Sequence, residues 1–358
     1  MHALTVVAAF LSGGAAVTLI GAKLIERVHP PYGRFLKIGG LRQHVVELGD
    51  GAGVVNGPAI VLLHGAGCNL EDMRLALGER LADRHRVILL DRPGLGWSER
   101  RSSNGSSPAY QAAMLSAVLD RLGVDRVILV GHSWGGLLAL TFALDYPHRV
   151  AGLVVIAPPT HPWLGQTTWL YSVFAIPLVG WVFAHTLTLP FGALLIGPGF
   201  RGAFLPQSPP PGYMKRSAAR LLLRPATLLA NAADIAGLKA FLKRQAERYD
   251  TLAAPIVIIT GDRDTVISPR HHAMRLAAAV PGARLEVLPG FGHLLHHAAT
   301  DRIIAAVEEL IGRASSSTGT LDTPHGLEDD RGQALRHDHG HRGLATEPRP
   351  RTIRGCIP

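Results

Sequence analysis

The chain has 358 residues, which is enough for one large α/β domain with an insertion or for two small domains. Apolar residues make up 47% of it and charged residues 18%, a composition that describes a protein with a large core. Its two cysteines, Cys68 and Cys356, are too few for a disulfide framework.

The net charge of +9 is unevenly distributed along the chain. The segment 158–250 contains nine Lys or Arg and three acidic residues, so it carries +6 of that charge, and it is also rich in Trp, Phe and Leu. A segment that is both basic and apolar fits an anionic membrane surface or an anionic amphiphile better than DNA. We therefore expect a membrane partner for this segment and no nucleic-acid partner.

Residues 1–30 predict a membrane anchor. Residues 3–22 are uncharged and about long enough to cross a bilayer. A cleaved signal peptide and a buried helix are the alternatives, but no Lys or Arg precedes the apolar run and no clear A-x-A site follows it. Five basic residues downstream favour the cytoplasmic face for the body of the protein, with a periplasmic or secreted location as the alternative. They are Lys23, Arg27, Arg34, Lys37 and Arg42.

Segments 31–157 and 251–312 predict the two parts of an α/β core. Short apolar runs alternate there with helical segments, a pattern typical of a mostly parallel sheet covered by helices on both faces. The predicted strands are 42–48, 59–63, 86–90, 126–130, 153–156, 256–260 and 285–288. The predicted helices include 69–83, 107–122, 137–144 and 300–311.

Two segments do not fit this alternation. Residues 158–250 are predicted to form an inserted, largely helical lid, and residues 150–200 contain no charged side chain. Because Pro177 and Pro190 interrupt the apolar stretch, we interpret it as a cover over the site rather than as a second membrane span. Residues 313–358 lose periodicity and predict a disordered tail, in which the histidines at 337, 339 and 341 are expected to be solvated rather than to bind a metal.

Residues 131–136, with the sequence GHSWGG, predict a nucleophilic serine. A G-x-S-x-G motif between a strand and a helix is typical of a nucleophile elbow, where the serine backbone is strained and its neighbours must be small. A serine hydroxyl needs a base, and the base needs an orienting acid. The loop after residue 260 offers Asp262 and Asp264, and the loop after residue 288 offers His293.

Five motifs together resemble those of the α/β-hydrolase superfamily with a lid, over residues 44–311. They are HGAG at 64–67, DRPGLGWS at 91–98, GHSWGG at 131–136, GDRD at 261–264 and GFGH at 290–293. More narrowly, the chain resembles uncharacterised bacterial members that have an N-terminal membrane segment. The resemblance implies an α/β-hydrolase fold with an inserted lid.

The resemblance also implies roles for individual residues. Ser133 would be the nucleophile, His293 the base and Asp264 the acid, with Asp262 as the rival acid. The backbone N–H groups of Ala66 and Trp134 would form the oxyanion hole. No cofactor and no metal are expected.

Other residues near these motifs have a structural interpretation. We expect His132 to be structural, Asp91 to brace the turn that follows it, and His271 and His272 to be exposed. His296 and His297 are interpreted as packing or surface residues.

Four aromatic residues of the lid are candidate substrate-binding or membrane-contacting residues, with simple packing of the lid on the core as the alternative for each. They are Trp163, Trp169, Trp181 and Phe183. The sequence therefore predicts a membrane-associated serine hydrolase, carboxylesterase-like or lipase-like, that cleaves an apolar or lipid-like ester through an acyl-enzyme. A perhydrolase or haloperoxidase-like activity and a non-catalytic protein that binds hydrophobic ligands are the alternatives. Ser133 disfavours epoxide hydrolases and haloalkane dehalogenases, in which a nucleophilic aspartate is expected.

Overall fold

An eight-stranded sheet lies at the centre of the computed structural model, which describes residues 2–49, 57–101, 103–163, 173–174 and 176–318. The strands are β1 (Arg34–Ile38), β2 (Leu41–Leu48), β3 (Ala59–Leu63), β4 (Val87–Leu90), β5 (Val127–His132), β6 (Val150–Ile156), β7 (Ile256–Gly261) and β8 (Arg284–Leu288). Their order across the sheet is β1-β2-β4-β3-β5-β6-β7-β8. The pairs β1–β2 and β2–β4 are antiparallel and all others are parallel, so the predicted mostly parallel sheet is confirmed.

Burial explains why the central strands are continuous apolar runs. Every residue of β3, β4, β5, β6 and β7 is buried, because helices cover both faces of the sheet there. Alternate residues of β3 belong to two separate cores: Val61 and Leu63 face one, and Ile60 and Leu62 face the other. The edge strand β8 is only half buried.

The described residues form helices α1–α12. They are α1 (His2–Val28), α2 (Leu70–Met73), α3 (Glu79–Ala82), α4 (Pro108–Arg121), α5 (Trp134–Asp145), α6 (Pro177–Thr186), α7 (Thr188–Phe204), α8 (Tyr213–Arg216), α9 (Pro225–Ala236), α10 (Leu238–Gln245), α11 (Ala273–Ala279) and α12 (Thr300–Thr318). Leu119 of α4 and Phe142 of α5 pack into one core, whereas Ile303 and Val307 of α12 pack into the other. The chain thus covers both faces of the sheet, as predicted.

The segment between β6 and β7, here called the insertion (158–250), contains helices α6 to α10. Helices α6 and α7 are separated by a single residue and bend by 82° relative to each other. Trp169 lies outside the described residues, so its predicted role has no structural counterpart here.

Helix α1 extends six residues beyond the apolar run that the sequence predicts. Its residues Leu4–Val28 have the length and composition of a membrane span or a signal sequence, and most of them are exposed. The helix packs closely on the insertion, because a Cβ atom at Gly14 would collide with the backbone oxygen of Thr186 and one at Gly21 would lie 2.9 Å from the Leu189 side chain. Glycines on one face of α1 therefore permit its close contact with α6 and α7.

The last helix ends later than predicted. Helix α12 continues to Thr318, whereas the sequence predicts a helix to residue 311 and a disordered tail from 313. An ion pair between Arg313 and Glu309, one turn apart, supports the extra turns, and the Ser315 hydroxyl donates to the carbonyl oxygen of Ile311. The rest of the tail, including Cys356, lies outside the described residues.

Candidate active site

Ser133 occupies a strained turn between β5 and α5. Its φ is 52° and its ψ is −120°, a conformation that is costly for a residue with a side chain. A Cβ atom at Gly131 would collide with the backbone of Gly135, and one at Gly135 would collide with the carbonyl of Leu63. The small residues on either side are thus required by the close approach of strand, turn and helix.

His293 and Asp264 lie in line with the Ser133 hydroxyl. The Nε2 atom of His293 is 3.0 Å from Ser133 Oγ, and its Nδ1 atom is 2.8 Å from Asp264 Oδ2. The other carboxylate oxygen of Asp264 accepts the backbone N–H groups of Val266 and Ile267, each at 2.8 Å. These bonds fix the carboxylate, so that the His293 Nδ1–H donates to it and Nε2 is free to accept the serine proton.

The rival acid lies elsewhere. Asp262 is exposed, and its Oδ1 atom accepts the N–H of Gly290 at 2.7 Å in the loop that precedes His293. The structure therefore brings Asp264 rather than Asp262 to the histidine.

The two predicted backbone donors line the same cavity as Ser133. Trp134 is the first residue of α5, where backbone N–H groups have no partner within the helix and the helix dipole favours a negative charge. The loop that holds Ala66 lies directly against the elbow, since a Cβ atom at Gly65 would be 3.2 Å from the Ser133 Cβ. The loop that holds Ala66 and the start of α5 therefore meet beside the Ser133 side chain.

Arg92 is a residue that the sequence analysis did not identify. Its fully buried guanidinium donates to the carbonyl oxygens of His64 and Gly65, at 3.1 and 3.2 Å, and lies 4.0 Å from the Trp134 ring. It also forms a 2.7 Å ion pair with Asp234 of the insertion. Arg92 thereby connects the Ala66 loop, the start of α5 and the insertion. Its position directly after Asp91, where the buried strand β4 ends, was the only sign in the sequence that this arginine could be buried.

Asp91 itself braces the turn after β4, in agreement with the sequence analysis. Its carboxylate accepts the N–H groups of Leu70 and Trp97, each at 2.8 Å, and contacts His44 Nδ1 at 2.7 Å. Burial alone would raise the pKa of Asp91, but the hydrogen bond and charge of His44, together with His64 and the Leu70 N–H, outweigh it and hold that pKa below its usual value.

A second buried carboxylate, Asp72, lies behind the site. It accepts hydrogen bonds from His296 Nε2 at 3.0 Å, His297 Nε2 at 2.8 Å and the Tyr213 hydroxyl at 2.7 Å. Burial opposes its charge, yet the two histidines keep the pKa of Asp72 well below its usual value. Asp72 therefore joins α2, the loop after His293 and α8 of the insertion.

His132 contacts the same cluster. Its Nε2 atom donates to the carbonyl oxygen of His293 at 3.0 Å, and its ring lies 4.1 Å from that of His296. Asp72, His132 and His296 could each offer a metal ligand atom within 4.8 Å of the others. Three protein donors contact the Asp72 carboxylate, whereas the Nδ1 atoms of His132 and His296 are buried and have no hydrogen-bond partner among the described residues.

The cavity above Ser133 has a volume of about 760 Å³ and mostly apolar walls. Trp163, Phe200, Ile235 and Leu238 line it. The cavity is therefore bounded by both the core and the insertion, and it is large enough for an organic ligand.

The insertion aromatics divide into two groups. Trp163 lines the cavity, but the structure does not bring Trp181 and Phe183 to it. These two residues lie on α6, which packs against α1, and they are 54% and 40% exposed. Their predicted contact with the substrate is therefore not found, because α6 presents them to α1 and to the outer surface.

The predicted exposure of His272 is wrong. Its side chain is 4% exposed and lines the cavity, because Nδ1 accepts the Thr160 N–H at 3.1 Å and the Thr160 hydroxyl donates to its carbonyl oxygen at 3.0 Å. Burial lowers the pKa of His272 to about 4, so the ring is neutral at pH 7. His271 is half-buried and also lines the cavity. The loop after β6 covers both, which their local sequence does not reveal.

Known proteins share this architecture. A family model described as the alpha/beta hydrolase fold matches residues 58–299. An uncharacterised protein of Mycobacterium tuberculosis is 30% identical over 303 residues, which cover 80% of this chain and 83% of that protein. A 2-hydroxymuconate semialdehyde hydrolase of Pseudomonas putida is 30% identical over 302 residues, covering 80% of this chain and 96% of the hydrolase.

A solved structure agrees in fold. A crystal structure of an α/β-hydrolase fold protein from Burkholderia ambifaria superposes with a TM-score of 0.64, at 24% identity, and covers 77% of this chain and 96% of that one. The strand order, the elbow at Ser133 and the family match over most of the chain lead to one conclusion: this protein is a member of the α/β-hydrolase family of enzymes.

Proposed function

We propose that this protein is a serine hydrolase that cleaves a carboxylic ester with an apolar or lipid-like acyl or alcohol part. The observation that carries the proposal is the hydrogen-bonded row of Ser133, His293 and Asp264, with distances of 3.0 and 2.8 Å. A row of this geometry activates a hydroxyl that would otherwise be a weak nucleophile.

The reaction proceeds in two halves. His293 Nε2 takes the Ser133 proton as Oγ attacks the ester carbonyl carbon, and the Ala66 and Trp134 N–H groups stabilise the resulting oxyanion. His293 then gives the proton to the leaving alcohol, which produces the acyl-enzyme. Water activated by His293 attacks the acyl group, and the acid and free Ser133 are released. Asp264 stabilises the imidazolium in both halves.

The walls of the cavity support an apolar substrate. Among the described residues that line it there is no Lys or Arg, so an acidic substrate would meet no permanent cation. Burial keeps His272 neutral at pH 7, because its pKa is lowered to about 4. Aromatic and aliphatic walls without a cation favour an uncharged acyl chain.

The N-terminal helix supports attachment to a membrane. Residues Leu4–Val28 are apolar and mostly exposed, and α7 of the insertion adds exposed residues such as Leu194, which is 73% exposed. We assign α1 as the membrane anchor, the insertion as a lid that also contacts the bilayer, and the cytoplasmic face as the side of the catalytic core. Recovery of the full-length chain from the soluble fraction would refute this anchor.

A fluorophosphonate probe tests the serine chemistry. The wild type should be labelled and Ser133→Ala should not, because the probe reacts only with an activated serine. Ser268→Ala is the matched control, since Ser268 lines the same cavity but its hydroxyl accepts the His271 N–H, whereas His293 Nε2 contacts Ser133; this variant should label normally.

The same three proteins are then assayed with p-nitrophenyl esters of increasing acyl length. Activity that rises with chain length supports an apolar substrate, and a maximum at the shortest esters contradicts it. An unlabelled wild type contradicts the serine hydrolase and favours a protein that binds hydrophobic ligands without catalysis.

A further inference from the structure

A second cavity, distinct from the one at Ser133, lies between α1, the insertion and the loop after β4. Its volume is about 980 Å³, and it shares no lining residue with the Ser133 cavity. We call it the α1 groove. The reaction proposed above does not use it.

One part of the α1 groove is apolar. Ala15, Leu19 and Ala22 of α1 line it, at a spacing that puts them on one face of the helix. Trp181 of α6 and Leu229 of α9 complete this part. Trp181 is exposed and does not line the Ser133 cavity, but in this groove it lies beside the apolar face of α1.

The other part of the groove is basic. Five cations line it, against the two acids Glu26 and Glu99. The cations are Lys23, Arg42, Arg100, Arg101 and Arg224. Positive charge therefore exceeds negative charge in this part of the groove, whereas the segment of α1 that precedes Lys23 is uncharged.

The ion pairs leave this excess in place. Arg42 pairs with Glu99 at 3.0 Å, and Lys23 and Arg224 share Glu26 at 3.0 and 3.5 Å.

The two arginines that follow Glu99 differ in whether they form an ion pair. Arg100 pairs at 2.5 Å with Asp234, which lies outside the groove. Arg101 is exposed and forms no ion pair with any residue that the structure describes. Arg101 is consequently available to an anion, and Lys23 and Arg224 have only the single carboxylate of Glu26 between them.

The polarity of the groove runs along α1 in the same direction as that of a bilayer leaflet. Its apolar part lies beside the uncharged segment of α1, and its basic part begins at Lys23, the first charge on that helix. Basic clusters directly beside a membrane helix attract anionic headgroups, and arginine matches the geometry of a phosphate.

We propose that the α1 groove binds an anionic phospholipid. Its phosphate would lie near Lys23 and Arg101, and an acyl chain would lie along Ala15, Leu19 and Trp181. The inference depends on the membrane anchor proposed for α1 and does not depend on the chemistry of Ser133. The bound lipid would link α1 to the insertion and to the core, which all contribute to the groove.

Fluorescence quenching by brominated lipids tests this site. The full-length chain is reconstituted in vesicles containing a small, equal fraction of brominated phosphatidylglycerol, phosphatidylcholine or oleic acid. Subtracting the signal of Trp181→Phe isolates the quenching of Trp181. Brominated phosphatidylglycerol should quench Trp181 in preference to phosphatidylcholine, because both can enter the apolar part and only one carries a net negative charge.

Removal of the cations supplies the second arm. In Lys23→Gln/Arg101→Gln the preference for phosphatidylglycerol should fall by roughly fivefold per charge removed. Arg302→Gln, in which an exposed arginine of α12 is lost, is the control and should retain the preference.

Three results would overturn the proposal. They are equal quenching by the two phospholipids, stronger quenching by oleic acid than by phosphatidylglycerol, and an unchanged preference in the double variant. The readout requires no hydrolysis, so fluorophosphonate labelling of Ser133 in the same vesicles separates a failure of the groove from a failure of the proposed enzyme function.

Discussion

The carboxyl edge of the sheet and the bent pair α6–α7 differ in how their residues are held. At the sheet edge, Ser133, Asp264 and His293 are buried, and each has a specific hydrogen-bond partner. In α6 and α7 the side chains are apolar and many are exposed, including Leu194. One region therefore has directional bonds that fix atoms to a fraction of an ångström, and the other has non-directional apolar surface.

This difference separates two tasks. Bond cleavage needs fixed geometry, which burial and hydrogen bonds provide at the sheet edge. The insertion and α1 instead expose apolar area, and contact through such a surface depends on area rather than on direction. The pair of Arg92 and Asp234 joins the core to α9 of the insertion and is called the junction below. The predictions begin with the site, continue to this junction and end at the outer surface.

The largest effect is expected at the sheet edge. Asp264→Asn should lower kcat/KM by roughly 10⁴-fold, because an amide no longer holds the His293 tautomer that accepts the serine proton. The measurement is steady-state hydrolysis of a p-nitrophenyl ester. Asp262→Asn is the matched control, since its exposed side chain can still accept the Gly290 N–H, and it should keep activity near that of the wild type. The opposite ranking would make Asp262 the acid.

The junction should be the next most sensitive place. Arg92→Met leaves Asp234 without one of its two buried partners and should lower the free energy of unfolding by about 3–5 kcal/mol. It should also lower kcat/KM, since the Ala66 loop loses two hydrogen bonds.

Urea unfolding and ester hydrolysis measure the two effects of Arg92→Met. Arg302→Gln, which removes an arginine that is 64% exposed, should cost under about 1 kcal/mol. Equal losses of unfolding free energy in the two variants would contradict a stabilising role for the buried Arg92–Asp234 pair.

A smaller effect is expected from pH. His64 is fully buried, and its Nε2 atom accepts the backbone N–H of Arg92. Burial, followed by the charge of the Arg92 guanidinium, lowers the pKa of His64 to about 4. The unfolded chain binds this proton near pH 6.5, so the stability from neutral His64 is complete above pH 6.5 and is lost as the pH falls towards 4. The contribution amounts to about 3 kcal/mol over that window.

His64→Gln removes this titration. Urea unfolding between pH 4.5 and 7.5 should show a shallower loss of stability in the variant than in the wild type. His296 and His272, whose pKa values burial also lowers to about 4, should maintain the remaining slope. Parallel curves for the two proteins would mean that His64 binds its proton equally well in the folded chain.

The smallest change in stability is expected at the outer surface. Leu194→Glu should alter the free energy of unfolding by less than about 0.5 kcal/mol, because the side chain is exposed. It should nevertheless reduce hydrolysis of a long-chain ester dissolved in vesicles, while a short soluble ester is cleaved as before. The control is Met274→Glu, which changes an exposed apolar residue of α11, outside the insertion. Equal losses in both variants would remove the insertion from the proposed membrane contact.

Much of the core could be predicted because its signals are local. Continuous apolar runs are what strands buried on both faces require, and the order of the motifs along the chain identified Ser133, Asp264 and His293 as candidates for one site. The structure brings these three side chains into hydrogen-bond contact. Asp262 and Asp264 both follow the same strand by a few residues, so the family resemblance, rather than the spacing, favoured Asp264 as the acid.

Buried polar residues away from the motifs could not be predicted. Arg92 and His272 resemble exposed residues in their local sequence, and only their partners, Asp234 and Thr160, explain why they are buried. Both partners are more than 100 residues away along the chain. Similarly, nothing local separates Trp163, which lines the Ser133 cavity, from Trp181, which lines the α1 groove.

The sequence by itself did not reveal strand β1 (Arg34–Ile38). It determined the other seven strands, the elbow at Ser133 and the apolar character of α1 and the insertion. These follow from period, glycine spacing and composition, which act over a few neighbouring residues. The tertiary structure alone decided that Arg92 joins the core to the insertion, that Asp72 supports the loop after His293, and that α1 and Trp181 enclose a basic groove. Those features depend on contacts between distant segments, whose directions are set only when the helices pack on the sheet.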